Sequence, residues 1–270
     1  MLRTRQSKEL HLHPPGDRSG ASHAVAPLKR HSPPEHSERM TDSADPLAHG
    51  WDLRVPQARE IQLALRERLE LRAPPGFTPR TIAGADVSVE RFATRGCAGL
   101  VVIDAGTMET LEEATSIAEL KMPYVPGYLS FRELPALDGA WRRLKQKPEV
   151  VIFDGQGYAH PRRFGIACHG GVLWDVPTIG CAKSILVGTH GELGEARGST
   201  APLVHQGETV GMAVRTRDGV KPVYVSPGHH MDLETAVRIV LAVSPKYREP
   251  ETTRRSHRLV NEVRRKDKSA

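Results

Sequence analysis

Residues 148–171 read PEVVIFDGQGYAHPRRFGIACHGG, and this stretch decides the fold. Val150, Val151, Ile152 and Phe153 form an apolar run with the length of a buried strand. Asp154 follows at once, and Gly155 and Gly157 flank Gln156. A carboxylate at the end of a buried strand costs desolvation free energy unless a partner compensates it. Two readings fit. Asp154 caps the following helix while Arg162 and Arg163 are solvated, or it holds a hard cation where the glycines let a backbone or ligand come close.

Upstream, residues 81–89 (TIAGADVSV) read as a strand and residues 98–105 (AGLVVIDA) as its partner, across a polar turn containing Gly96. A third strand through Glu113–Ala118 completes an antiparallel meander. Asp86 sits within the first strand, between Ala85 and Val87, where an unpaired carboxylate is costly. Before the meander, Val55, Ala58, Ile61, Leu65 and Leu69 recur at helical spacing, with Asp52 as the cap and Pro56 in the first turn. After it, Pro123 and Pro126 hold Tyr124 in extended backbone. Leu137, Ala140, Trp141 and Leu144 then give a helix that starts near Pro135 and has Glu133 at its mouth.

Downstream of Asp154, a helix is expected over Arg163–Leu173 and a buried strand over Thr178–Ala182, ending in Lys183. Residues 209–216 and 220–226 read as a hairpin around Asp218-Gly219. His229 and His230 precede a helix that Asp232 caps and Pro245 ends. Strands and helices in this order make an α/β protein with a mixed sheet flanked by helices.

The flanks differ in composition. Residues 1–50, rich in Pro, Ser, Arg and six histidines, read as a disordered extension, with Met40 a candidate translation start. Residues 247–270, rich in Arg and Lys without a sustained apolar period, read as a disordered basic arm that adds phosphate affinity. The ordered domain is expected over 51–246. The net charge of +6 points to an anionic partner, most commonly nucleic acid. Hydrophobic residues at 39% supply a core, yet no segment is long and apolar enough to span a membrane. No secretory leader is visible, and three cysteines without ligand spacing fit a reducing cytoplasm.

Asp86, Glu133 and Asp154 are far apart in sequence, so only the fold can gather them. Three carboxylates in one cleft raise one another's pKa unless a cation neutralises them, and an oxygen-only set favours Mg²⁺ or Mn²⁺.

The blocks IAGADVSV, PYVPGYLSFREL, VVIFDGQGYAHPRRFGIACHGG, PTIGCAKS and SPGHHMDLETA, in this order and spacing, resemble the endonuclease V family of deoxyinosine 3′ endonucleases. The resemblance spans about Trp51 to Pro245. It implies an RNase H-like fold and Mg²⁺-dependent nicking of DNA at the second phosphodiester bond 3′ of a hypoxanthine-bearing nucleotide, leaving 3′-hydroxyl and 5′-phosphate ends. It further implies Asp86, Asp154 and Glu133 as metal ligands and Lys183 as the group that stabilises phosphate charge. His229 becomes an active-site histidine, and His160 holds the adjacent loop. Tyr124 becomes a wedge that fills the gap left by a displaced base. Gly127, Leu129, Gly155, Gly157, Ile166, Ala182 and Leu186 become walls of a pocket for the flipped base. Gln156 and His230 depart from the residues common in the family, and contacts to the strand are expected to differ at Gln156. The implied partner is inosine-containing DNA, single- or double-stranded, acted on by a monomer. An inosine-specific ribonuclease is the alternative. A non-catalytic binder is disfavoured because all three acids are present.

Overall fold

The computed structural model describes residues 46–89 and 94–268, all within one compact unit. The candidate start at Met40 and most of the expected N-terminal extension lie outside the described residues. The last residues of that extension are ordered: Pro46–Ala48 form a 3-10 turn, and the His49 ring packs edge-on against Trp51 with centroids 4.6 Å apart.

The helix α1 (Val55–Arg66) leads into the meander β1 (Thr81–Val89), β2 (Arg95–Asp104) and β3 (Thr110–Glu119). There follow α2 (Leu129–Arg143), β4 (Val150–Phe153), α3 (Ile166–Trp174) and β5 (Thr178–Ala182). The chain closes with β6 (Thr200–His205), β7 (Glu208–Val214), β8 (Val223–Pro227), α4 (Leu233–Ala242) and α5 (Glu251–Lys268). One eight-stranded sheet has the order β3-β2-β1-β4-β5-β8-β7-β6. The central pairs β1–β4 and β4–β5 are parallel and the others antiparallel. This is the mixed α/β, RNase H-like class that the resemblance implies.

Alternation along the central strands divides the core into two layers. Ala83, Ala85, Val151 and Phe153 face Leu134, Leu137 and Trp141 of α2 and Ile166 and Ala167 of α3. Ile82, Val150, Ile152 and Ile179 face Ala236, Ile239 and Val240 of α4. Strand β4 is buried at all four positions, as a central parallel strand must be.

Several expectations from sequence need correction. The cap of α1 is Arg54 rather than Asp52, with the Arg54 N–H donating to Gln57 Oε1 at 2.9 Å. Helix α2 starts at Leu129, so Pro135 lies inside it and Glu133 in its second turn. Gly96 belongs to β2, opposite Val89, rather than to a turn. The stretch from Arg215 to Pro222 is too long for a two-residue hairpin, although Gly219 takes the positive φ of 64° expected of a turn glycine. Strand β6 escaped the reading because it is an edge strand that carries Pro202 and is only alternately buried.

The largest correction is the C-terminal arm, which is an ordered helix. Thr252, Thr253, Ser256 and Val260 of α5 are fully buried. The helix runs along β1: the Thr252 and Thr253 backbone covers Gly84, His257 meets Asp86, and Asn261 meets Ser88. Four helical residues rise about 6 Å and two strand residues about 6.7 Å, so the two repeats stay in step. The contact at Gly84 leaves no room for a side chain, since a Cβ there would lie 2.3 Å from the Thr252 carbonyl carbon. On β2, Gly99 makes the matching space for Val260. Part of the positive charge is consumed internally, with Arg254 and Arg255 on Glu251 at 2.9 and 3.3 Å.

Gly84→Ala is therefore expected to destabilise the protein by about 1–3 kcal/mol through overpacking against backbone. Denaturant unfolding measures this, and far-UV dichroism separates displacement of α5 from global unfolding.

Candidate active site at the carboxyl ends of β1 and β4

Strands β1 and β4 are parallel, and the Asp154 N–H donates to the Ala85 carbonyl at 3.2 Å, so Asp86 and Asp154 emerge side by side. Both point to the face that α5 covers. Asp86 Oδ1 accepts from the Val87 N–H at 2.8 Å, and Oδ2 lies 2.9 Å from His257 Nδ1. Asp86, Asp154 and His257 each offer a ligand atom within 4.8 Å of the others. Glu133 reaches the same centre from α2. Burial and the charges of Asp86 and Asp154 push its carboxyl up to about 8. Burial, then the Asp154 charge, pushes Asp86 up to about 6 against the lowering effect of His257.

Carboxylates that resist ionisation because they face one another form a set that a divalent cation neutralises. The donors that come together fit such an ion: the Asp86 and Asp154 carboxylates and the His257 imidazole, with the Glu133 carboxyl of α2 near enough to feel both charges. The set is not oxygen-only as expected, since His257 joins it from the helix that sequence reading left unstructured.

Lys183, at the end of β5, bonds Asp154 Oδ2 at 2.6 Å and Glu249 at 3.3 Å. Burial works against its charge, but the Asp154 hydrogen bond and the Glu249 charge outweigh it and hold the ammonium above its usual pKa. The Lys183 carbonyl in turn accepts from Arg248 at 2.8 Å.

The structure does not bring His229 to this centre. Its amide bonds Thr178 Oγ1 at 2.9 Å, at the start of β5, whereas Lys183 follows the end of that strand. His229 sits instead with His230 and Asp175, the second cluster of potential ligand atoms. There the Glu70 N–H donates to His229 Nδ1 at 3.2 Å, so the proton of the neutral ring is on Nε2, towards Asp175. An Nε2 that carries a proton has no lone pair for a cation.

Beside the carboxylates lies a small cavity between the starts of α2 and α3. Four of the expected pocket residues line it, Gly127, Leu129, Ile166 and Leu186, together with Gln62, Ser130, Gln156, His160 and Gly165. Gly155, Gly157 and Ala182 do not. Gly155 sits beneath Ile166, where a Cβ would lie 2.7 Å from its Cγ2. Gly157 packs on the Pro227 carbonyl, 2.2 Å from where its Cβ would be, and Ala182 is buried in β5.

The loop carrying Tyr124 joins the cavity wall. Gly127, at φ 81°, follows Pro126 in a turn closed by the Tyr128 N–H on the Val125 carbonyl at 3.0 Å. The Gly127 carbonyl accepts from Gln62, His160 and Arg162 at 3.0, 3.0 and 2.6 Å. His160 thus does hold the loop. Its Nδ1 accepts from the Arg162 N–H at 3.2 Å, and burial followed by the Arg162 charge pushes its pKa down to about 4. Tyr124 stands out from this braced loop, 67% exposed. A larger polar cleft of about 540 Å³, lined by Arg66, Tyr158, Arg163 and Glu208 among others, shares no residue with the carboxylate centre.

Residues 63–258 match the family model for endonuclease V. The chain belongs to the endonuclease V family. Endonuclease V of Myxococcus xanthus is 62% identical over 231 residues, covering 86% of this chain and 98% of the relative. The crystal structure of endonuclease V from Streptomyces avermitilis superimposes with a TM-score of 0.78 at 44% identity, covering 82% of this chain and 97% of that one. The Ciona intestinalis enzyme, solved with a 24mer DNA containing an inosine followed by a ribo-adenosine, gives 0.69 at 27% identity over 78% of this chain and 98% of that one. Family membership makes the chain a nuclease, a hydrolase of phosphodiester bonds. Among the described residues no helix is long and apolar enough to cross a membrane.

Two measurements check the site. Because His257 holds Asp86, His257→Ala is expected to weaken divalent-cation binding by about 10- to 100-fold in calorimetry. His160 supplies the pH dependence. Its folded pKa lies below the unfolded value of about 6.5, so its stabilising contribution is complete above pH 6.5 and is lost as pH falls towards 4. The loss amounts to about 3 kcal/mol at most. His160→Gln, which can still donate to Gly127, is expected to flatten that limb of the stability curve measured by urea unfolding.

Proposed function

We propose that the chain is a metal-dependent repair endonuclease that cuts DNA at the second phosphodiester bond 3′ of deoxyinosine, leaving 3′-hydroxyl and 5′-phosphate ends. The observation that carries this reading is the convergence of Asp86, Asp154, Glu133, His257 and Lys183 at the carboxyl ends of the central strands, next to a small cavity and a braced aromatic loop. The Ciona relative's complex with inosine-containing DNA supports the choice of substrate.

Asp86, Asp154, Glu133 and His257 would hold Mg²⁺, with Mn²⁺ able to replace it. When bound, the ion supplies a water of lowered pKa and a counter-charge for the phosphate oxygens. The protein's own groups do the rest. His257 orients Asp86, and burial with the Asp86 and Asp154 charges raises the Glu133 carboxyl to about 8. Lys183 keeps a permanent positive charge, anchored by Asp154 and Glu249, where charge develops on the phosphate. Tyr124, exposed and fixed between Pro123 and Pro126, fills the space of the displaced base. The flipped base enters the cavity walled by Gly127, Leu129, Ile166 and Leu186. His229, at the opposite end of β5, has no part in the chemistry.

Cleavage of an end-labelled strand with one central inosine, offered as DNA and as RNA with Mg²⁺ or EDTA, tests the reading. A metal-dependent cut one linkage beyond the lesion's own 3′ linkage, on DNA, is expected. Preference for RNA would turn the assignment to an inosine-specific ribonuclease, and tight binding without cutting would overturn catalysis.

Asp86→Asn is expected to lower the cutting rate by at least about a hundredfold without loss of folding. Single-turnover kinetics and a thermal melt report the two effects separately. Tyr124→Ala should weaken binding to inosine DNA while leaving cation affinity unchanged, as fluorescence anisotropy and calorimetry would show.

A further inference from the structure

The polar atoms lining the cavity can be accounted for one at a time. Gln62 is engaged at both ends: Oε1 accepts from Arg162 at 2.6 Å, and Nε2 donates to the Gly127 and Phe164 carbonyls at 3.0 and 3.2 Å. Both ring nitrogens of His160 are engaged, as described above. Gln156 differs. Its Nε2 donates to the Ser184 carbonyl at 2.8 Å, and because a carbonyl only accepts, the nitrogen end must face Ser184. That fixes the carbonyl end, and Oε1 is buried with no donor among the described residues. A buried acceptor without a donor is unfavourable, and it is satisfied by any ligand that brings an N–H to it.

Ser130 adds to the same polarity. His49 Nδ1 donates to the Gly50 carbonyl at 2.9 Å, so with the ring neutral its Nε2 accepts from His169 Nε2 at 3.1 Å. His169 is fully buried, and burial holds it neutral, well below its usual pKa. Its Nδ1 therefore accepts, and the Ser130 hydroxyl donates to it at 3.0 Å. With its hydrogen committed to His169, the Ser130 oxygen has only lone pairs left. Opposite in character are Leu129 and Ile166, the first residues of α2 and α3, whose N–H groups belong to helix starts and lack intrahelical acceptors.

The cavity thus combines helix-start donors with a side-chain acceptor. A 6-oxopurine lactam matches this with an accepting O6 and a donating N1–H. Adenine reverses both positions, an accepting N1 beside a donating amino group. Guanine shares the lactam pattern and differs by its 2-amino group, so its exclusion falls to the cavity walls.

We propose that Gln156 is a specificity-determining residue, whose Oε1 accepts the N1–H of the 6-oxopurine in the cavity and so discriminates against adenine. This rests on the inosine-nuclease reading. Gln156 stands two residues after Asp154, so the side chain that would read the base and the acid that would hold the cation share one turn of chain.

The test compares single-turnover cleavage of strands containing one inosine, one nebularine (a purine with neither O6 nor N1–H) or adenine only, by the wild type, Gln156→Met and Gln156→Leu. Failure of the wild type to cut the inosine strand would remove the nuclease reading itself, before any variant is considered. With that strand cut, Gln156→Met is expected to lose about 5- to 100-fold on inosine, since a buried N–H is left without an acceptor, and to keep its rate on nebularine. An equal loss on inosine and nebularine, or an unchanged preference, overturns the proposal. Gln156→Leu covers the case in which the methionine variant fails to fold. It also removes the acceptor and is expected to show the same selective loss on inosine, so an equal loss on inosine and nebularine in the folded variant also overturns the proposal.

Discussion

The approach of the α5 backbone to Gly84 is the constraint on which the rest depends. A helix resting directly on a strand brings its next turn down onto the next outward residue of that strand, which is Asp86. His257 is that next turn. One missing side chain in β1 therefore decides where the imidazole of the cation site stands, and Gly99 on the neighbouring strand lets the helix settle without tilting. The same helix start tethers Glu249, which helps to anchor Lys183. Catalytic geometry here is a consequence of close backbone packing more than of any loop.

Around that frame the electrostatics are deliberately unbalanced. Asp86, Asp154 and Glu133 are brought together with one lysine and one histidine, and burial with this crowding raises the pKa of Asp86 and Glu133. A cation that takes the ionised acids would therefore bind more strongly as pH rises. The neighbouring cavity is the reverse case, with nearly every polar group paired and its histidines kept neutral.

The central layers were legible in the sequence because their signals are strong and local. Strands β1, β4 and β5 were read to their limits: β4 and β5 are apolar runs followed by an acid and a lysine, and β1 is a β-branched and small-residue run with Asp86 inside it. Asp86, Asp154, Glu133 and Lys183 were found by that logic and by family resemblance, and the structure brings them together. Helix α5 was missed for a physical reason. Its buried face is Thr252, Thr253, Ser256 and Val260, mostly small and polar because it lies on glycine, so no sustained apolar period marks it. The signal that could have found it was Gly84 and Gly99 on adjacent strands, a space that something must fill. His229 was misplaced because a motif match carries no information about which end of a strand it lands on. Gly157 was taken for a pocket wall because a glycine that admits a ligand and one that admits a neighbouring carbonyl read alike.

The connections between cavity and cation site are short and stiff. Asp154 and Gln156 are separated by one residue, and Ser130 and Glu133 by less than a turn of the same helix. The Gly127 carbonyl, held by three donors, prevents the intervening loop from yielding. Such an arrangement behaves as a ruler. The separation between the cavity and the carboxylate centre is built into covalent spacers, so under the proposed function the offset of a cut would be set by the protein and not by the nucleotides around a lesion.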